Sequence, residues 1–226
     1  MERYHIFQQL HKGLQTLLYD TAILLQQTDF NGTEEAKTAL EKLNTFLHLY
    51  TRYTHIKEHY LLPAVQRATP ATAFALAQQQ GPEYVSVQRL QGLITMYDHT
   101  VSTEDKREAG ISINNAYTGF MIAILRNMNR EEEAISSVLR HHYTEAEILS
   151  IEQQMMAGIP ASEMKAYSQW MIRGMNNLEI TGWLKTAERM TDTPVFQSVL
   201  AFAEQELSSP RWQKVRDGLT EGMLIA

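Results

Sequence analysis

Apolar residues recur along most of the chain at the three- and four-residue spacing of helices, and no run reads as alternating strands. In the first segment Phe7, Leu10, His11, Leu14, Leu17, Leu18, Thr21, Leu24 and Leu25 fall at helical spacing and predict a first helix. Asp29-Phe30-Asn31-Gly32 reads as a turn, with Thr33 placed to cap a second helix. That helix is predicted to run to about Leu62, with Pro63 as its end or a kink, because proline supplies no N–H to the ladder. A third helical region spans roughly Thr72 to Tyr97 and is interrupted at Gly81-Pro82. After a polar connection from Ser102 to Arg107, a long fourth helix is predicted from about Glu108 to His141. Its apolar stripe is Ile122, Leu125, Met128, Ile135 and Leu139. The fold class is all-α.

From Thr144 onward the character changes to short helices with separate start signals. Thr144 and Glu147 have the spacing of a capping box. Thr193-Pro194 and Ser209-Pro210 each place a cap residue before a proline at the first helical position. All three tryptophans (Trp170, Trp183 and Trp212) lie here, as do Met155, Met156, Met164, Met171, Met175, Met190 and Met223. The expected organisation is a bundle over 1–143 and a C-terminal helical extension over 144–226 that packs on it.

The polar residues inside the apolar stripes are the candidates for chemistry. His11 lies between Leu10 and Leu14, and a buried imidazole there needs a partner: a neighbouring side chain or a metal. On the second helix Phe46, Leu49, Tyr50, Tyr53, Ile56 and Tyr60 form the buried stripe, whereas His48, Arg52, His55 and His59 form a separate polar one. His55 and His59 have the i, i+4 spacing of a metal pair, but their stripe places them at or near the surface. No histidine occurs between His59 and His99, so the middle of the third region offers no imidazole; Tyr84 lies near where a ligand would be expected. On the fourth helix Asn127 and Glu131 share a face one turn apart. Glu132 and Glu133 read as a solvated acidic turn.

Composition narrows the function classes. The 226 residues carry a net charge of −6, whereas a general nucleic-acid binder is usually basic. The absence of cysteine removes disulfides, thiolate nucleophiles and cysteine-held metal centres. The start of the chain has no apolar signal core, and no stretch approaches the roughly 18 apolar residues that span a bilayer. The expectation is a cytoplasmic protein that engages neither nucleic acid nor membrane.

Two segments, Phe46 to Pro63 and Phe120 to Glu133, resemble the ligand-bearing helices of the hemerythrin-like (HHE cation-binding) family. That family carries a His-Ala-x-His-Glu-Asp segment that runs into a proline. Aligned on Pro63, Tyr53 stands at the ligand histidine, Lys57 at the ligand glutamate, and Glu58 at a nearby acidic position. The family's His-Met-x-x-Glu-Glu pattern reads here Asn127-Met128-Asn129-Arg130-Glu131-Glu132. The resemblance makes His11 the helix-one ligand. It implies an up-down four-helix bundle with former metal-site positions at His11, Tyr53, Lys57, Asn127 and Glu131. His11 and Glu131 are the ligands that survive for any metal. The stretch from Leu139 to Glu147, with Ile151 to Met155, Ile159 to Met164, Trp170-Met171 and Arg211-Trp212, is similar to the C-terminal extension of a bacterial subfamily.

Family members bind or sense oxygen or nitric oxide, or assist iron chemistry, through the metal. Here most ligands are exchanged, so the resemblance implies a degraded metal site, no resident cofactor, and a non-enzymatic regulatory or interaction role. A protein partner would meet the C-terminal helices, since methionine adapts to varied surfaces and tryptophan anchors interfaces. The Lys57 ammonium is expected to replace the metal's positive charge opposite Glu131, with Tyr53, Asn127 and His11 completing a hydrogen-bonded network. Two other readings stay open. One is an iron-binding protein with an unusual site at His11, Glu131 and Tyr53, joined by His55 and His59 in the other register. The other is a metal-independent acid–base enzyme, although no phosphate loop, His-Glu-x-x-His segment or Gly-x-Ser-x-Gly elbow occurs.

Overall fold

The computed structural model describes residues 6–32, 34–78 and 80–221; the expected cap Thr33 and Met223 lie outside them. The described residues form helices and no strand, so the chain is all-α. In order these are α1 (Ile6–Gln27), α2 (Glu34–Ile56), a π-helical turn (Lys57–Leu61), α3 (Leu62–Ala68), α4 (Pro70–Ala77) and α5 (Gln80–His99). They are followed by α6 (Thr103–His142), α7 (Glu145–Ala157), α8 (Ala161–Gly174), α9 (Asn177–Met190), α10 (Thr193–Glu206) and α11 (Ser209–Glu221). No described helix is long and apolar enough to cross a membrane.

Helix ends follow their local chemistry. Ser102 caps α6 by accepting from the Asp105 N–H, with Glu104 and Asp105 in the first turn and Arg140, His141 and His142 in the last, each matched to the helix dipole. The helix thus starts five residues before Glu108. At α7 the Thr144 hydroxyl accepts from the Glu147 N–H, and the Glu147 carboxylate accepts from the Thr144 N–H at 2.8 Å. Asn176 and Glu179 form a second capping box, at α9. Two expected caps move by one residue. Asp192, not Thr193, accepts from the Val195 N–H at 3.0 Å. The N–H groups of Arg211 and Trp212 both donate to the Ser208 carbonyl at 2.9 Å, so the first turn of α11 is anchored before Ser209.

The chain forms two compact units, one of residues 1–16 with 161–226 and one of residues 17–160. This division differs from the expected boundary at 143/144 at both ends. Within the second unit α7 is held by its own contacts: the site a Cβ would occupy on Gly158 lies 2.5 Å from the Tyr60 ring, and Tyr143 donates to the Ala64 carbonyl at 2.7 Å.

In the first unit α1 and α8 meet through glycines. A Cβ on Gly13 would sit 2.9 Å from the Met171 backbone nitrogen, and one on Gly174 would sit 2.6 Å from the Lys12 carbonyl oxygen. The buried Glu179 carboxylate pairs with the Lys12 ammonium. Arg211 donates to Asn177 Oδ1 at 3.1 Å and to the Met175 carbonyl. Glu206 accepts from Gln169 at 2.9 Å and Arg173 at 2.7 Å.

In the second unit Phe46, Tyr50, Tyr117 and Phe120 stack edge-on and face-on with centroids 5.8–6.3 Å apart. Tyr117 donates to the Leu18 carbonyl at 2.9 Å. The buried face of α6 runs through Tyr117, Phe120, Ile124, Met128, Glu131 and Ile135. Ile122, expected in that stripe, is 53% exposed. Two residues from both Phe120 and Ile124, at about 100° per residue, it points away from the face they share.

Pro63 does not end its helix. The Leu62 N–H donates to the Lys57 carbonyl five residues back, and the chain continues helically to Ala68. A proline has no N–H for the carbonyl four residues before it, and its ring crowds that carbonyl. The wider π-turn carries the backbone past that point, and Lys57, its first residue, is buried.

Candidate functional site

Six polar side chains converge inside the second unit. Tyr50 and Lys57 lie seven residues apart on one helical face, with Tyr53 between them. Asn127 and Glu131 lie one turn apart on α6, and Glu83 comes from the first turn of α5. The Lys57 ammonium donates to Glu131 Oε1, and both side chains are almost wholly buried. It also lies 5.7 Å from the centre of the Tyr53 ring, a distance at which the ring face attracts a cation. Glu83 receives two neutral donors: Tyr50 donates to Oε2 at 2.6 Å, and the Asn127 amide donates to Oε1.

Tyr53, Lys57, Asn127 and Glu131, picked out from the sequence, all lie in this unit, and Lys57 meets Glu131 directly. Tyr53 is buried, while Asn127 is half-buried and spends its amide on Glu83. His11 belongs to the other unit; it is buried there with its ring 4.6 Å from that of Phe7. His55 and His59 are exposed, and His55 Nδ1 lies 3.8 Å from Glu58. Glu133 is exposed and Glu132 half-buried.

Sequence reasoning missed Glu83 and Tyr50 as site residues. It looked to Tyr84, which is 61% exposed and whose hydroxyl accepts from Gln88 at 2.8 Å. The neighbour Glu83 is 6% exposed. The available signal was the tyrosine in the apolar stripe of α2, since a buried phenol needs a partner.

Burial pushes the Glu83 carboxyl above the usual range, against the opposing pull of its bonds from Tyr50 and Asn127 and the charge of Lys57. Burial likewise raises the Tyr50 phenol well above its ordinary value, reinforced by the Glu83 charge and hydrogen bond. An acid whose folded value is raised holds its proton more tightly in the native state. Its contribution to stability is full below the unfolded value, about 4.3 for a glutamate, and is lost as pH rises through the folded value. Glu83→Gln keeps an acceptor oxygen but cannot ionise. The fall in urea midpoint from about pH 4.3 upward should therefore be shallower in this variant. An identical pH profile would mean that Glu83 is not perturbed by the fold.

The Lys57 position does not suit iron. An ammonium has no lone pair to give a metal, and Lys57 already engages Glu131. The amide nitrogen of Asn127 donates to Glu83, so only its carbonyl oxygen is a ligand atom. Among the described residues no group of three or more His, Asp or Glu side chains is arranged to hold a metal ion. What the arrangement offers instead is a buried, charge-assisted pair beside a carboxylate held by neutral donors. No protein-family model, curated protein or solved structure matches the chain.

Proposed function

We propose that this chain is a hemerythrin-like bundle whose metal position has been taken over by an internal ion pair, and that it acts by binding rather than by iron redox chemistry. The observation that carries this reading is the buried Lys57 ammonium against Glu131, at the two positions where the family resemblance puts acidic ligands. A fixed positive charge there does the electrostatic work of a cation while leaving no site for one. Such a pair holds helices in one register without adding much stability. The role is regulatory or interactive, and a protein partner would meet the C-terminal helices. Trp170, Met171 and Met175 are buried there and serve packing, which leaves Leu178, Met190 and Val195 as apolar surface for the partner.

Elemental analysis tests the first half of this reading. Protein purified without a histidine tag, with and without added ferrous iron, should retain far less than stoichiometric iron. Stoichiometric iron that disappears in His11→Ala or Glu131→Gln would overturn the reading and restore a gas-binding or redox role.

A further inference from the structure

Glu83 has a second set of neighbours beside its hydrogen-bond donors. It forms part of the wall of a pocket of about 370 Å³ in the second unit, shared with Tyr50, Thr54, Glu58, Tyr84 and Val87. That volume lies within the range of small-molecule sites. Most ionised side chains that are this deeply buried are paired with an opposite charge. Glu83 instead takes hydrogen bonds only from a phenol and an amide, and among the described residues no ion pair is formed to it. The charge of Lys57 acts on Glu83 as well, but that ammonium is in contact with Glu131.

The other side chains of the pocket agree in sign except His55, which also lines it and lies 3.8 Å from Glu58. Glu58, at 42% side-chain exposure, adds a second carboxylate. Tyr50 and Tyr84 supply aromatic surface, and ring faces attract cations. Glu83 sits in the first turn of α5, so its own carboxylate already meets the positive end of that helix, and an anion would face two carboxylates. We propose that this pocket binds a small organic monocation of the primary-amine class, with its ammonium on Glu83 and its apolar part between Tyr84 and Val87. The Tyr50 and Asn127 bonds hold the carboxylate in place, so little ordering remains for the ligand to impose.

This site uses the same Glu83 as the interior network but does not depend on whether the bundle descends from a metal protein. The test uses benzylamine, protonated at neutral pH, and its neutral counterpart benzyl alcohol, titrated into the full chain by calorimetry and ligand-observed NMR. Benzylamine should bind at least about tenfold more tightly than benzyl alcohol, the margin expected for a hydrogen bond to a charged group. Glu83→Gln should erase that margin, with its helical circular dichroism checked to establish folding. Tyr84→Ala removes an exposed side chain and should weaken benzylamine without touching the interior. No binding of benzylamine, equal binding of the two compounds, or benzylamine affinity unchanged in both variants would overturn the proposal. Metal content measured on the same sample separates this failure from failure of the metal-free reading.

Discussion

Lys57→Met should cost about 3–5 kcal/mol of stability, because removing one member of a buried pair strands the charge of the other. Glu131 is the stranded group: its side chain is 5% exposed, and that of Lys57 is 2% exposed. A methionine fills much of the same volume, so the loss is electrostatic rather than a cavity. The companion experiment is Lys57→Met with Glu131→Leu. Replacing both charges by apolar groups should recover most of the loss, whereas independent sites would add their costs. The readout is urea unfolding followed by circular dichroism. A single variant within about 1 kcal/mol of the parent would mean that Lys57 reaches solvent in solution and that no such pair exists.

Gly174→Ala should be the second large effect, in the other unit. The added methyl would lie 2.4 Å from Thr16 Oγ1 and 2.6 Å from the Lys12 carbonyl oxygen. The hydroxyl can rotate away, but the carbonyl is backbone, so α1 and α8 must separate. Overpacking of this kind costs about 1–3 kcal/mol, and alanine recovers up to about 1 kcal/mol in helix propensity. Gly182→Ala serves as the control, since nothing lies within 4 Å of its Cβ site. There propensity acts alone and the change should be neutral or stabilising. Tryptophan emission suits this pair, because Trp170, Trp183 and Trp212 all belong to the first unit. Equal midpoints for the two alanine variants would mean that the close approach of α1 and α8 is absent.

The helices were legible because their stripes are long and regular. Burial of Phe46, Leu49, Tyr50, Tyr53 and Ile56 follows directly from their spacing. Lys57 was considered for the interior only through the family resemblance aligned on Pro63, since the apolar spacing by itself does not single out a lysine. Glu83 was not legible. An acidic residue just after Gly81-Pro82 reads as an ordinary helix-start residue, and only the partner phenol on a distant helix shows otherwise. The caps at Asp192 and Ser208 differ from expectation by one residue, since Asp-Thr-Pro and Ser-Ser-Pro each offer two cap candidates in succession. The division into units depends on contacts of residues far apart in sequence, such as Gly13 with Met171, and no local pattern encodes those.

The π-turn has a genetic consequence. Its Leu62-to-Lys57 hydrogen bond encloses one residue more than an α-helical turn does, so this stretch holds one codon of slack. A single-codon deletion near His48 would rotate the start of α2 by about 100° and turn Leu40 and Leu43 out of the interior. The same deletion at the exposed Glu58 or His59 would straighten the turn and leave the faces of α2 and α3 in phase. Its cost would fall on Pro63, whose ring would again meet the carbonyl four residues before it.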